Sequence, residues 1–286
     1  MPRYRVDIRA MKREEVDWAV QLAAKEGWNP GLSDAECFYR TDPEGFLIGL
    51  LDGEPVGCIS AVRYPEGFGF MGFYIVLPEH RGKGYSLDLW KVAMDRMQGY
   101  NAGGDGVVEM IPKYLSAGFN LAYRNIRYGG SPPSLARNSP DVVQIGPNSD
   151  GLHVTFDEVA AYDRRCFPAP RDSFLRCWLN NPSYAVVSDG RLKGYGTIRR
   201  CWEGFKIGPL FADDAAVADE LFRALCHRTD GEGPVFLDVP EPNAAAVKLA
   251  ESNGLKKVFE TARIYTGPAP DIDLDKVFGV TTFELG

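Results

Sequence analysis

What this chain lacks narrows it first. In 286 residues no apolar run approaches the roughly 18 to 20 needed to cross a bilayer as a helix. Positive charge is in deficit, 32 Lys and Arg against 39 Asp and Glu for a net of -7. That balance argues against nucleic acid or an anionic membrane as a partner. Histidines are scarce, at 80, 153 and 227, and no Cys-x-x-Cys pair occurs, so no cysteine-histidine set has the spacing of a structural zinc site and no metal is expected. The start, Met-Pro-Arg-Tyr-Arg-Val-Asp, has no apolar signal core, which reads as cytoplasmic. In that reducing setting the six cysteines are expected as small buried hydrophobes. The basic glycine turn at 81–86 carries neither Gly-x-x-x-x-Gly-Lys-Ser/Thr nor Gly-x-Gly-x-x-Gly, which removes the common nucleotide loops there.

What is present is a globular composition, 45% hydrophobic and 25% charged, in a chain long for one core and comfortable for two. Its most informative stretch runs from Phe73 to Ser86, an apolar strand leading into a basic glycine turn that opens an amphipathic helix. Gly82 and Gly84 let the backbone approach a ligand and point consecutive N–H groups at one phosphate pair. The positive helix end adds attraction, and Arg81 and Lys83 supply charge-assisted contacts. A surface turn with a solubilising Arg-Gly-Lys is the plainer alternative.

Arg81-x-x-Gly84-x-Ser86, following Val76-x-Pro78, closely resembles the acetyl-CoA signature of the GNAT N-acetyltransferases, Gln/Arg-x-x-Gly-x-Gly/Ala. Ser86 departs from that pattern, by a small residue. The resemblance implies acetyl-CoA as acyl donor, its pyrophosphate held by Arg81, Gly82, Lys83, Gly84, Tyr85 and Ser86. It also implies that backbone groups of Ile75 and Val76, at the splayed end of the fourth strand, polarise the thioester carbonyl.

Local patterns fit the same order. Arg5 to Arg9 reads as a strand, and Val16, Ala19, Val20, Ala23 and Ala24 recur at helical period up to Gly27. Ser33 with Glu36 starts a second helix, and Asp52-Gly53 turns a hairpin between 46–51 and 56–62. Phe68 to Val76 is the strand before the cradle, and Val107 to Ile111 reads as the end of the next one. The order β-α-α-β-β-β-α-β-α is the GNAT order.

The later half repeats the earlier one. Asp189-Gly190 and Gly194 answer Asp52-Gly53 and Gly57 at an offset of 137, while Ile207-Gly208 and Gly254-Leu255 answer Met71-Gly72 and Gly118-Phe119 at 136. The expected fold class is α/β, an α+β mixed sheet in two tandem acyl-CoA N-acyltransferase (GNAT) domains. Residues 1–130 form the acetyl-CoA-binding, catalytic domain, and 131–150, rich in Pro, Gly and Ser, the linker. Residues 151–286 form a degenerate GNAT-like domain with an acceptor-binding or structural role. Opposite the cradle this half carries Asp213-Asp214-Ala215-Ala216, in a loop about four residues shorter, and two carboxylates repel a pyrophosphate. It also has Ala250 where the family places a tyrosine, whereas the first half keeps Tyr114 before Gly118-Phe119.

By that position Tyr114 is the candidate proton donor to the departing CoA thiolate, with a packed aromatic as the other reading. The base is open: Glu109, His80 beside the cradle, or a water chain. For the acceptor, Trp28 offers stacking, Asn29 hydrogen bonds and Asp34 a partner for a cation; the rival reading is a helix cap with a buried Trp anchor. Arg171, Asp172 and Trp178 are further candidates to close the site. The acceptor is expected between the halves, with Trp28 and Asn29 facing residues 165–205, and the net charge leans toward a small cationic amine. The expected activity is transfer of an acetyl group from acetyl-CoA to the primary amine of a small molecule or peptide, by a monomer or homodimer; a noncatalytic acyl-CoA sensor is the alternative.

Overall fold

In the computed structural model, which describes residues 5–132, 140–147 and 154–286, the two Asp-Gly turns take the same backbone. Asp52 and Gly53 have φ of 53° and 89°, and Asp189 and Gly190 have 53° and 66°. Positive φ at both central residues suits the twist of a two-residue hairpin. The first turn joins β2 (Phe46–Leu51) to β3 (Glu54–Arg63), and the second joins β8 (Ser183–Ser188) to β9 (Arg191–Arg200). Part of the 131–150 linker and residues 1–4 lie outside the described residues.

Around these hairpins the halves run in parallel. The first contains β1 (Asp7–Ala10), α1 (Arg13–Lys25), α2 (Asp34–Thr41), β4 (Phe68–Val76), α3 (Tyr85–Arg96), β5 (Asn101–Val107), α4 (Ile111–Ser116) and β6 (Asn120–Gly130). The second contains β7 (Val142–Ile145), α5 (Phe156–Cys166), α6 (Asp172–Trp178), β10 (Phe205–Ala212), α7 (Ala215–His227), β11 (Val235–Pro240), α8 (Ala244–Ser252), β12 (Lys256–Tyr265) and a short β13 (Val277–Gly279). The fold is a mixed α/β architecture on one mixed sheet.

Three local expectations are corrected. The fifth strand spans Asn101–Val107, and Val108–Met110 is a 3₁₀ turn. Its sequence, Asn-Ala-Gly-Gly-Asp-Gly-Val, has too few side chains to show a period-two pattern. Ser33 precedes α2 but makes no side-chain cap bond. Of the six cysteines, Cys58, Cys166, Cys201 and Cys226 are free and buried, whereas Cys37 and Cys177 form a disulfide between α2 and α6. Packing brings these two helices together: Phe38 lies 6.1 Å from Trp178, which stacks at 4.7 Å on Phe174.

The strand order is β1-β2-β3-β4-β5-β12-β6-β11-β10-β9-β8-β7. Each half thus lends its last long strand to the other, β12 pairing with β5 and β6 with β11. The repeat offset holds across this exchange, for Arg127 and Arg263 are 136 apart (263 minus 127) and play equivalent parts. Arg127 grips Asp238 of β11 through Nε and Nη2 at 2.6 and 2.8 Å. Arg263 grips Asp105 of β5 through the same atoms at 3.0 and 2.6 Å. All four side chains are buried, so each charge depends on its partner in the other half.

Candidate active site

Parallel pairing of β4 with β5 stops at Met71 opposite Gly104, and beyond it the strands diverge. A bulge helps to turn β4 away: its register with β3 shifts between Cys58 and Ser60, where Phe73 stands at φ 47°. The opening is a cavity of about 120 Å³. Residues 71–74 line one side and 104–107 the other, with Trp28, Trp90, Tyr114 and Phe119 around them. β12 contributes Phe259, Thr261 and Ile264, and the C-terminal segment contributes Phe283 and Glu284. Ile75 and Val76 are not among the lining residues; both pair with β3 just beyond, opposite Cys58 and Gly57.

The cradle follows directly. Gly82 and Gly84 have φ of 75° and 87°, the left-handed region that disfavours a side chain. Gly84 is the N-cap of α3, and no side chain caps that helix end. Among the described residues no side chain therefore competes with a ligand anion for its N–H groups, and the first-turn Asp88 accepts instead from the Arg5 N–H at 2.8 Å. Arg81, Gly82 and Lys83 are exposed, while Tyr85 and Ser86 are half-buried. Arg81 donates through Nε to the Val76 carbonyl at 2.9 Å and through Nη2 to Glu26 at 2.5 Å. The Tyr74 hydroxyl donates to the Ser86 carbonyl at 2.8 Å, tying the cavity wall to the first turn of α3.

Tyr114 faces the cavity from α4, over the end of β5. A Cβ at Gly106 would stand 2.7 Å from its Cζ and 2.9 Å from its Oη, so the missing side chain there makes room for the ring. Burial pushes the Tyr114 phenol above its ordinary pKa, the neighbouring Tyr74 adds to this, and a backbone hydrogen bond at Val107 works the other way. The phenol is thus a retained proton at neutral pH. Glu109 is exposed on the 3₁₀ turn and outside the cavity lining. His80, half-buried, packs 6.0 Å from the Tyr85 ring and is also outside it.

The acceptor candidates separate. Trp28 lines the cavity, and its carbonyl accepts from Arg127 Nη1 at 2.6 Å. Asn29 is engaged in docking: its Nδ2 donates to the Glu203 carbonyl and its Oδ1 accepts from the Glu203 N–H, both at 2.9 Å. Asp34 is fully buried in an ion pair with Arg199 at 3.0 Å and accepts from Gly31 N–H at 2.7 Å, so it has no free face for a substrate cation. Arg171 is buried against Asp163 at 2.7 Å, Trp178 sits in the core, and no residue from 165–205 lines the cavity. The second half reaches the cavity through β12, which strand exchange carries across, and through the C-terminal segment that follows β13.

The equivalent place in the second half is filled. β10 also bulges, its register with β9 shifting between Ile207 and Leu210, and its parallel pairing with β11 ends at Ile207 opposite Leu237. Into that divergence runs β13, pairing with β10, while Val280 N–H donates to the Asp238 carbonyl at 2.8 Å. A Cβ at Gly208 would meet the carbonyls of Val280 and Thr281 at 2.6 Å. The N-terminus of α7 is occupied too, since Asp214 accepts from Ala216 and Val217 N–H at 2.8 and 3.0 Å.

Comparison with known proteins agrees with this two-part plan. Residues 11–108 match the model of the "Acetyltransferase (GNAT) family", and residues 159–279 match that of an "Acetyltransferase (GNAT) domain". A curated relative, holothin acyltransferase of Pseudoalteromonas sp. (strain SANK 73390), is 31% identical over 275 residues, spanning 94% of this chain and 92% of that protein. The chain is a tandem member of the GNAT acetyltransferase family. Among solved structures, a candidate acetyltransferase of Pyrococcus horikoshii superposes with a TM-score of 0.82 at 18% identity, covering 100% of this chain and 98% of that one. A tandem GNAT protein from the clavulanic acid biosynthesis pathway gives 0.64 at 14%, covering 92% and 99%. These two likenesses bear on the fold alone.

Within this GNAT pair the contrast between an uncapped α3 and a self-capped α7 makes a prediction. Arg81→Glu should weaken acyl-CoA binding by about 1.5–3 kcal/mol, roughly tenfold to a hundredfold in Kd. Asp214→Ala should lower stability by about 1 kcal/mol through loss of a cap and leave CoA affinity unchanged. Titration calorimetry reads both, and two equivalent CoA sites per chain would contradict the contrast. Sequence reasoning missed Asp105, Phe259, Thr261, Ile264, Phe283 and Glu284 as cavity residues. The offset of 136 linked Gly118-Phe119 to Gly254-Leu255, just ahead of β6 and β12, but nothing in it announced those strands or their exchange.

Proposed function

We propose that the protein transfers an acetyl or other short acyl group from a CoA thioester to the primary amine of a small, flat, apolar acceptor. The carrying observation is the cavity at the divergence of β4 and β5, next to the uncapped N-terminus of α3. Its wall is aromatic, with Trp28, Phe73, Tyr74, Trp90, Phe119, Phe259 and Phe283 among the lining residues. At about 120 Å³ it approaches the roughly 150 Å³ void that holds one benzene ring. Such a wall favours a ring with a neutral amine over a polyamine, whose several charges would lose hydration with Glu284 as the one unpaired carboxylate among the lining residues. Asp105 and Asp34 do not offset this, being already paired with Arg263 and Arg199. The Pseudoalteromonas relative, named as a holothin acyltransferase, favours acyl transfer as well.

Acyl-CoA would lie with its pyrophosphate on 81–86 and its thioester directed along β4 into the opening. Nitrogen attack on the carbonyl carbon forms the amide bond, and the C–S bond breaks. Tyr114, kept protonated by its raised pKa, donates its proton to the leaving thiolate as the C–S bond breaks. The test is CoA release from acetyl- and longer acyl-CoA with a panel of aromatic and heteroaromatic amines, polyamines and aminoglycosides. Turnover confined to flat apolar amines is expected. Turnover confined to polyamines or aminoglycosides overturns the acceptor class, and tight CoA binding without turnover of any amine overturns transfer in favour of a sensor.

A further inference from the structure

We propose that Glu284, delivered by the C-terminal segment of the second half, is the general base that takes the proton from the attacking amine. This rests on the acyl-transfer reading above and names a residue for it. Glu284 lines the cavity yet is only 2% exposed, and both of its carboxylate oxygens lack a hydrogen-bond partner among the described residues. A buried carboxylate with four lone-pair sites and no donor is expensive to maintain, unlike Asp34, Asp105, Asp163 and Asp238, each gripped by an arginine. An unsatisfied acceptor at a cavity wall suits a group whose donor arrives with the substrate.

The fold fixes the main chain of this residue against β4. A Cβ on Gly72 would meet the Glu284 carbonyl at 2.5 Å and its Cα at 3.2 Å, so the segment lies directly on β4 where the strands diverge. Leu285 N–H donates to Thr282 Oγ1 at 2.9 Å, and the Leu285 carbonyl accepts from Tyr64 at 3.1 Å, fixing the residue after Glu284. The same run that closes the second half's opening, Val277 to Thr281, thus continues into the first half's cavity. Burial raises the Glu284 pKa above the ordinary carboxyl value, opposed by Lys206 of β10, Arg127 of β6 and Arg199 of β9, while Asp34 of α2 reinforces it. A carboxylate raised in this way is a better proton acceptor from an ammonium than an exposed one.

The step balances. The amine nitrogen forms a bond to the thioester carbon and gives its proton to a Glu284 oxygen; the C–S bond breaks, and the thiolate takes the Tyr114 proton. Once amide and CoA leave, water entering the cavity takes the proton from Glu284 and returns one to Tyr114, restoring both groups.

The experiment uses the full chain, acetyl-CoA and the best weakly basic aromatic amine from the panel, neutral across the range studied. For the parent, kcat/KM should fall toward low pH with a limb above the ordinary carboxyl range; a profile flat from about pH 5 to about pH 8 overturns the assignment. Glu284→Gln should lose about 10²- to 10⁴-fold in kcat and the limb, with CoA Kd within about twofold of the parent. Retained kcat and limb overturn the base while leaving acyl transfer standing. If the parent turns over no amine, transfer fails and this assignment falls with it. Should Glu284→Gln not fold, Glu284→Asp keeps the charge among Lys206, Arg127 and Arg199 and should still lose about tenfold in kcat; no loss overturns the base. Formate should restore part of the activity of Glu284→Ala, which a purely structural role would not allow.

Discussion

Tyr114→Phe is expected to lower kcat by about 10²- to 10⁴-fold with little change in acyl-CoA Kd. The phenol is the feature removed, and the ring's packing against Phe119, 6.5 Å away, is retained. Phenylalanine also fits over Gly106 as tyrosine does, so no strain accompanies the change. The loss belongs to kcat because the thiolate exists only as the C–S bond breaks, and an interaction made there lowers the barrier without strengthening ground-state binding. A raised Tyr114 pKa keeps the proton donor intact through neutral pH, with activity declining on the alkaline side as the phenol ionises. Steady-state kinetics with the acceptor identified by CoA release measures this. Equal kcat in variant and parent would reduce Tyr114 to packing.

Asp238→Ala is expected to lower stability by about 3–5 kcal/mol, since it leaves the Arg127 guanidinium buried and unpaired at the strand exchange. Burial alone would raise the Asp238 pKa, but the Arg127 charge and hydrogen bonds, with Lys206 and Arg199, bring it below the usual 3.8. A carboxyl with a depressed folded pKa adds stability that is present above its unfolded value. That stability disappears as pH falls through the folded value, so the difference between parent and variant should shrink below about pH 4. Because β6 lies between β12 and β11, both halves should unfold in one transition. Glu232→Ala, which breaks an exposed pair with Arg200, should change stability by less than about 1 kcal/mol. Urea denaturation followed by fluorescence separates the two, and an Asp238→Ala loss below about 1 kcal/mol would mean that Arg127 finds water.

Local signals carried the reading wherever a short stretch decides its own conformation. The 73–86 segment is one case, because glycine φ values, a helix start and basic residues all lie within one turn. The Asp-Gly hairpins are another, and the repeat offset of 136 holds from the bulges of β4 and β10 to the helix-ending Gly118 and Gly254, at φ 90° and 78°. The glycine-rich β5 failed because its backbone pairing, unlike a side-chain pattern, leaves no trace in composition. Asp34 and Asn29 were legible as polar groups near the first helices, but their partners, Arg199 and the Glu203 backbone, are about 165 and 174 residues away in sequence.

The sequence alone determined the family and the tandem plan, and it showed which half opens a helix on a basic glycine turn, since each rests on residues within a turn or two of one another. Tertiary structure decided the rest. The exchange of β6 and β12 is a choice between chemically similar strands, settled by Arg127 meeting Asp238 and Arg263 meeting Asp105 across the halves. The cavity wall and the carboxylate of Glu284 follow from that exchange and from the path of residues 277–286, which fills one opening and enters the other. Long-range packing sets such a path, and no local propensity encodes it.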